Sequence, residues 1–155
     1  MEEMRAFFTR RVEGYDEHML QNVAGCAEGY ELLAQNLSEN AEDVLDLGCG
    51  TGLELDAMLA ERSDLRVTGI DLTQAMLDEL KKKHPEANLR LICGDYFQTD
   101  FGSECFDCAV SFESLHHFLP EKKRRLFKRI YDCLTPGGMF VNGDYFACCD
   151  EEENL

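Results

Sequence analysis

Val44-Leu-Asp-Leu-Gly-Cys-Gly-Thr-Gly52 decides the fold of this chain. An apolar strand runs into three alternate glycines, and a helical pattern over Leu53 to Glu61 follows. Glycine has no Cβ, so the turn can tighten and the backbone can press against a ligand. The helix behind the turn points free N–H groups at that ligand. Such a strand–turn–helix unit makes a nucleotide-type pocket at the carboxyl end of a parallel strand.

Strand and helix patterns alternate outward from this stretch. Asp43 to Leu47 reads as a strand and Leu53 to Glu61 as a helix. Leu65 to Ile70 is a second strand, followed by Asp71. Thr73 is expected to N-cap the next helix, which buries Met76, Leu77 and Leu80 and ends before Pro85. Leu89 to Cys93 and Phe106 to Ser111 are further strands. A helix runs from Pro120 through Leu134, is stopped by Thr135-Pro-Gly-Gly138, and leads to a last strand at Met139 to Asn142. The alternation predicts an α/β fold, a doubly wound parallel sheet of about five strands with helices on both faces. Upstream, Met4 to Val12 is an amphipathic stretch broken at Gly14, and Tyr15 to Leu20 is a connector. Ala24 to Leu37 is a helix with Ala27, Tyr30, Leu33, Ala34 and Leu37 on one face. One domain is expected over residues 1–155: a helical segment at 1–40, a Rossmann-like core at 41–145 and an acidic tail at 146–155.

Composition narrows the function. The net charge of -16 repels phosphate backbones, which argues against nucleic acid as a partner. Hydrophobic residues make up 45% and no apolar run approaches membrane-spanning length, so no membrane partner is expected. The acidic start Met1-Glu-Glu-Met-Arg lacks an apolar signal region, and the eight cysteines then read as reduced thiols in a cytoplasm. Cys105-Phe-Asp-Cys108 has the spacing of a metal or redox pair. Its second half enters a strand, no second such pair exists and Cys148-Cys149 are adjacent, so no metal is expected.

The residues that carry chemistry fall at the strand ends, where open parallel sheets bind ligands. Asp46 and the glycine turn (Gly48, Cys49, Gly50, Gly52) follow the first strand. Asp71, with Leu72, follows the second and lies 19 positions after Gly52, close to the ~20-residue offset at which an acid reaches ribose hydroxyls. Gly94, Asp95 and Tyr96 follow the third; a carboxylate there can accept from an exocyclic amine and the ring can face a base. Ser111, Phe112, Glu113, His116 and His117 follow the fourth, and the histidines are candidate bases. A nicotinamide fingerprint needs G-x-G-x-x-G, whereas here Gly48, Gly50 and Gly52 alternate and position 53 is Leu.

Five segments in order resemble the class I S-adenosylmethionine-dependent methyltransferases of small-molecule type. They are Asp46-Leu-Gly-Cys-Gly-Thr-Gly52, Gly69-Ile-Asp-Leu72, Cys93-Gly-Asp-Tyr96, Phe106 to Phe118, and Leu134-Thr-Pro-Gly-Gly-Met-Phe140. The resemblance implies strand order 3-2-1-4-5, S-adenosylmethionine as cofactor, S-adenosylhomocysteine as product and a small-molecule methyl acceptor. It implies that Gly48, Gly50 and Gly52 admit the methionine part and that Asp46 organises the turn and contacts the amino group through water. Asp71 would hold ribose, Asp95 and Tyr96 adenine, and Ser111 and Phe112 would lie near the sulfonium; Tyr15 is the lid candidate. The family continues past strand five into a helix and an antiparallel strand pair, whereas this sequence ends at Leu155. The acceptor site is therefore expected to be incomplete, and the edge Met139-Phe-Val-Asn142 to invite self-association. A non-catalytic cofactor-binding module and a nicotinamide-dependent reductase are the alternatives.

Overall fold

A computed structural model describes residues 2–146. Six helices and five strands follow in the order α1 (Glu2–Thr9), α2 (Tyr15–Asn22), α3 (Cys26–Gln35), β1 (Asp43–Leu47), α4 (Leu53–Glu61), β2 (Arg66–Asp71), α5 (Gln74–Lys83), β3 (Asn88–Cys93), β4 (Phe106–Phe112), α6 (Pro120–Cys133) and β5 (Leu134–Gly143). The strands form one sheet in the order β3-β2-β1-β4-β5, and every pairing is parallel. This is the α/β architecture that the sequence pattern predicts, in the strand order that the family resemblance implies.

Period-two alternation divides the core between the two faces of the sheet. Val44, Val67, Cys108 and Val110 pack with Leu33, Leu55, Met58, Leu77 and Leu80 of α3, α4 and α5. Leu45, Leu47, Ile70 and Ala109 pack with Leu126, Ile130 and Cys133 of α6. No helix links β3 to β4. Arg129 on α6 instead donates to the carbonyls of Tyr96, Phe97 and Thr99 and clamps the intervening loop.

Several local expectations change. Tyr15 to Asn22 is a helix rather than a connector, because Met19 of α2 buries against Cys26, Tyr30 and Leu53. Helix α3 starts at Cys26 and ends at Gln35, and α1 ends at Thr9. Thr73 occupies an N-cap backbone position but makes no side-chain cap bond; the Asp71 carboxylate accepts the Thr73 N–H at 2.8 Å instead. Strand β5 begins at Leu134 rather than Met139. The Thr135–Gly138 segment is an irregularity inside it, since Phe106 pairs with Leu134 and Cys108 already pairs with Met139. Cys108 is buried in β4 while Cys105 is exposed. Cys148, Cys149 and the acidic run Asp150 to Glu153 lie outside the described residues.

Gly52 shows why the first turn demands glycine. Its φ is +79°, and a Cβ there would lie 2.8 Å from Leu80 Cγ, which is fully buried. Gly52→Ala should therefore lower stability by roughly 2–4 kcal/mol, combining left-handed backbone strain with overpacking. Urea denaturation measures this, and a loss under about 1 kcal/mol would contradict the packing argument.

Candidate functional site

The turn after β1 is built by its neighbours in the sheet. Gly48 and Cys49 donate their N–H groups to the Ile70 carbonyl at 2.8 and 3.2 Å, and Gly50 N–H donates to Asp71 Oδ2 at 3.0 Å. Asp71 thus ties the glycine turn to the start of α5 through its two oxygens. Gly48 has φ +83°, and a Cβ there would lie 2.5 Å from Ser114 Oγ. The backbone of the first turn is consequently pressed against the loop after β4.

A cavity of about 60 Å³ opens where these strand ends meet. Of the residues singled out in the sequence, Gly48, Gly50, Asp71, Leu72, Asp95, Tyr96, Phe112, Glu113, Tyr15 and His117 line it. Its charged lining is Asp71, Asp95 and Glu113, with no lysine or arginine. Burial raises the Asp71 carboxyl above its ordinary value, against the lowering effect of its two backbone N–H donors. Asp95 Oδ1 accepts the Phe97 N–H at 2.8 Å, which leaves its carboxylate at the rim of a tight turn. Tyr96 OH and Ser114 Oγ are 3.0 Å apart, joining the loops after β3 and β4.

The other singled-out residues stand behind this wall. Cys49 turns its thiol into the core against Gly69, so only its backbone serves the turn. Gly52 packs on Leu80, and Gly94 donates its N–H to the Asp71 carbonyl at 2.8 Å. Ser111 Oγ donates to the Leu47 carbonyl at 3.1 Å. Asp46 is fully buried and neither of its carboxylate oxygens meets a donor.

Glu113 and Ser114 of the segment after β4 also reach the wall, whereas Met4, Phe8, Met76 and Phe118 are wall residues that the sequence does not reveal. Met4 and Phe8 stand four apart, so α1 presents both on one side. That spacing was a visible signal, but what the face covers was not. Phe8 meets Tyr15 and His117 edge-on, each with ring centroids 6.4 Å apart, and so roofs the cavity. Glu113 has φ +46°, a left-handed conformation that costs a non-glycine residue about 1–3 kcal/mol. Its N–H donates to Gly143 O at 2.8 Å, which holds it at the junction of β4 and β5.

The adjacent histidines divide their roles. His116 Nδ1 lies 2.6 Å from Asp144 Oδ1, whose side chain is only 2% exposed and also accepts the Leu115 N–H. This hydrogen bond holds His116 above its ordinary value of 6.5. His117 faces the cavity, and burial, then the charge of His116, lowers its value. His116 is therefore the more readily protonated of the two and is anchored by Asp144, and His117 is the one more readily left neutral on the wall.

The fold, with its cavity at the strand ends, places the chain in the doubly wound parallel α/β class. Residues 44–138 match the methyltransferase domain family, and the chain belongs to that family. It is 35% identical over 126 residues to carboxy-S-adenosyl-L-methionine synthase of Campylobacter fetus subsp. fetus, covering 80% of this chain and 53% of that protein. It is 32% identical over 130 residues to erythromycin 3''-O-methyltransferase of Saccharopolyspora erythraea, covering 78% and 42%. The chain thus spans about half the length of these curated relatives. An S-adenosylmethionine-dependent methyltransferase from Mesorhizobium loti superposes with a TM-score of 0.65 at 30% identity, over 76% of this chain and 53% of that one. The complex of DhpI with SAM and HEP superposes with a TM-score of 0.77 at 21% identity, over 99% and 69%, and shares the fold.

Removing the Asp144 charge should release His116. In Asp144→Asn, the His116 pKa falls towards or below its ordinary value, while in the unaltered protein His116 titrates above His117. The stabilisation from the raised His116 value is fully present below about pH 6.5 and is lost as pH rises through the folded-state pKa. Histidine NMR titration reads both values; two histidines titrating together would contradict the division.

Proposed function

We propose that the chain is the cofactor-binding part, as one domain over residues 1–155, of an S-adenosylmethionine-dependent methyltransferase acting on a small-molecule acceptor. The observation that carries the reading is the cavity's charge: it is lined by Asp71, Asp95 and Glu113 and, among the described residues, by no lysine or arginine. Such a wall attracts a sulfonium and repels the pyrophosphate of a dinucleotide. Gly48, whose Cβ would collide with Ser114, supplies a backbone surface that a ligand can approach closely. The unpaired carboxylate of Asp46 behind the turn suits a ligand that brings N–H donors.

When bound, the sulfonium supplies an already activated methyl group. The protein's work is alignment and exclusion of water, and alignment alone supplies on the order of 7–11 kcal/mol. Asp71 would hold ribose, Asp95 and Tyr96 adenine, and Phe112 the sulfonium region, with Ser111 behind it. His117, the more readily neutral of the two histidines and on the wall, is suited to take a proton at a ring nitrogen from an acceptor hydroxyl or amine; His116 orients the loop. Met4, Phe8 and Tyr15 roof a cavity of about 60 Å³, below the roughly 300–1,000 Å³ typical of ligand pockets, so α1 must move outward for a nucleoside to enter. Among the described residues no helix is long and apolar enough to cross a membrane. Strand β5 is the sheet's edge among the described residues and Met139 is 40% exposed, which supports pairing with a second copy.

Calorimetric titration should show S-adenosylhomocysteine binding and NAD failing to bind. Asp71→Ala should weaken the former by at least about tenfold and lower stability modestly, since the Gly50 and Thr73 N–H groups lose their acceptor. Equal affinity in the variant would remove the ribose assignment, and tighter NAD binding would reinstate the reductase. Release of S-adenosylhomocysteine in a metabolite screen with the full-length protein separates an enzyme from a binding module. In sedimentation velocity, the edge pairing predicts a sedimentation coefficient that rises with protein concentration; a constant monomer value would exclude it.

A further inference from the structure

Asp46, the last residue but one of β1, has both carboxylate oxygens buried and without an N–H or hydroxyl partner. The group against it is a second carboxyl, that of Glu54 in the first turn of α4, itself only 4% exposed. Two ionised carboxylates cannot share such a place, because burial disfavours each charge and each charge disfavours the other. A single proton between them relieves both effects and converts the contact into a charge-assisted O–H···O⁻ bond.

The surroundings offer no other relief. The titratable groups facing the pair are Asp71 from β2, Cys49 from the turn, Tyr15 from α2 and Tyr30 from α3. None of these is a cation. Among the described residues no lysine, arginine or histidine forms an ion pair with either carboxyl. Lys83 of α5 is taken by Asp16 at 3.0 Å and Asp56 at 2.7 Å. Burial raises both carboxyls of the pair, and the charge of Asp46 raises Glu54 further. Asp71 and Tyr15, two of the pair's neighbours, line the cavity, so the pair lies directly behind its wall.

We propose that Asp46 and Glu54 hold one proton in common in the ligand-free protein and release it when the ammonium group of an amino-acid-bearing ligand takes up their charge. The inference rests on the adenosyl-sulfonium reading above and adds Glu54 as a second carboxylate for the ligand's amino-acid end. The balance is simple: one proton leaves for solvent, and one ammonium, with three N–H donors, replaces it beside two ionised carboxylates. Glu54 acts as a positioning and charge-setting residue and takes no part in bond making.

The test is calorimetry of the full chain with S-adenosylhomocysteine in buffers of low and high ionisation enthalpy, phosphate and Tris. The inference expects heats that differ by an amount corresponding to about one proton released per ligand near pH 7. It also expects affinity to rise by up to about tenfold between roughly pH 6 and pH 7. 5′-Methylthioadenosine, which carries the nucleoside without the ammonium, should bind without buffer dependence. Glu54→Gln should bind S-adenosylhomocysteine but lose the proton release, because a side-chain amide supplies the donor that the shared proton supplied. Carbon-13 carboxyl NMR of the unaltered protein gives the same answer without a variant, as one carboxyl that titrates above neutrality and is shifted down by the ligand. Buffer-independent heat with S-adenosylhomocysteine, or equal proton release with 5′-methylthioadenosine, overturns the inference while the adenosyl reading stands. No heat with either ligand removes that reading and this inference together.

Discussion

The turn between β1 and α4 is held from outside itself. Ile70 accepts two of its N–H groups, and Asp71 accepts a third. Both acceptors end β2, so the turn has its shape only once β1 and β2 are paired in register, with Leu47 opposite Ile70. Every other feature of the site is referred to this pairing. Gly48 is pressed against Ser114, Ser114 meets Tyr96, and Asp71 also starts α5. An isolated strand–turn–helix segment would have none of these acceptors.

The second organising constraint is acidity without cations. Asp46, Glu54 and Asp71 all sit where burial opposes their charge. Arginine and lysine do appear nearby, but they do structural work: Arg129 clamps the loop after β3 and Lys83 joins α2 to α4 through Asp16 and Asp56. Lysines and arginines kept away from the cavity leave its charged wall acidic. The same economy appears at the other side, where Asp144 anchors His116 and favours its charged form, while burial disfavours the charged form of His117 on the wall.

The alternation of five strands with helices and the glycine turn were legible because they rest on local chemistry, whereas the strand order followed only from the family resemblance. Alternation of strand and helix patterns, glycine spacing and an acid at the end of β2 are properties of short segments, and each appears where the sequence placed it. Helix α2 was not legible as a helix, since its apolar content is sparse and its formation rests on Met19 packing against α3 and α4. The start of β5 was misplaced because Thr135-Pro-Gly-Gly138 carries every sign of a turn, yet the sheet absorbs it as an irregularity between paired residues.

The sequence by itself determined the parallel α/β class, the position of the pocket at the strand ends and most of its wall, because backbone geometry and period-two patterning are written in neighbouring residues. Tertiary structure alone decided which side chains share the cavity and which turn away. Cys49 and Ser111 face the interior, Phe8 comes to the wall, and the two histidines part company over one buried aspartate 28 positions downstream of His116. The reason is physical: burial, charge pairing and close approach are properties of residues distant in the chain, and no local pattern encodes them.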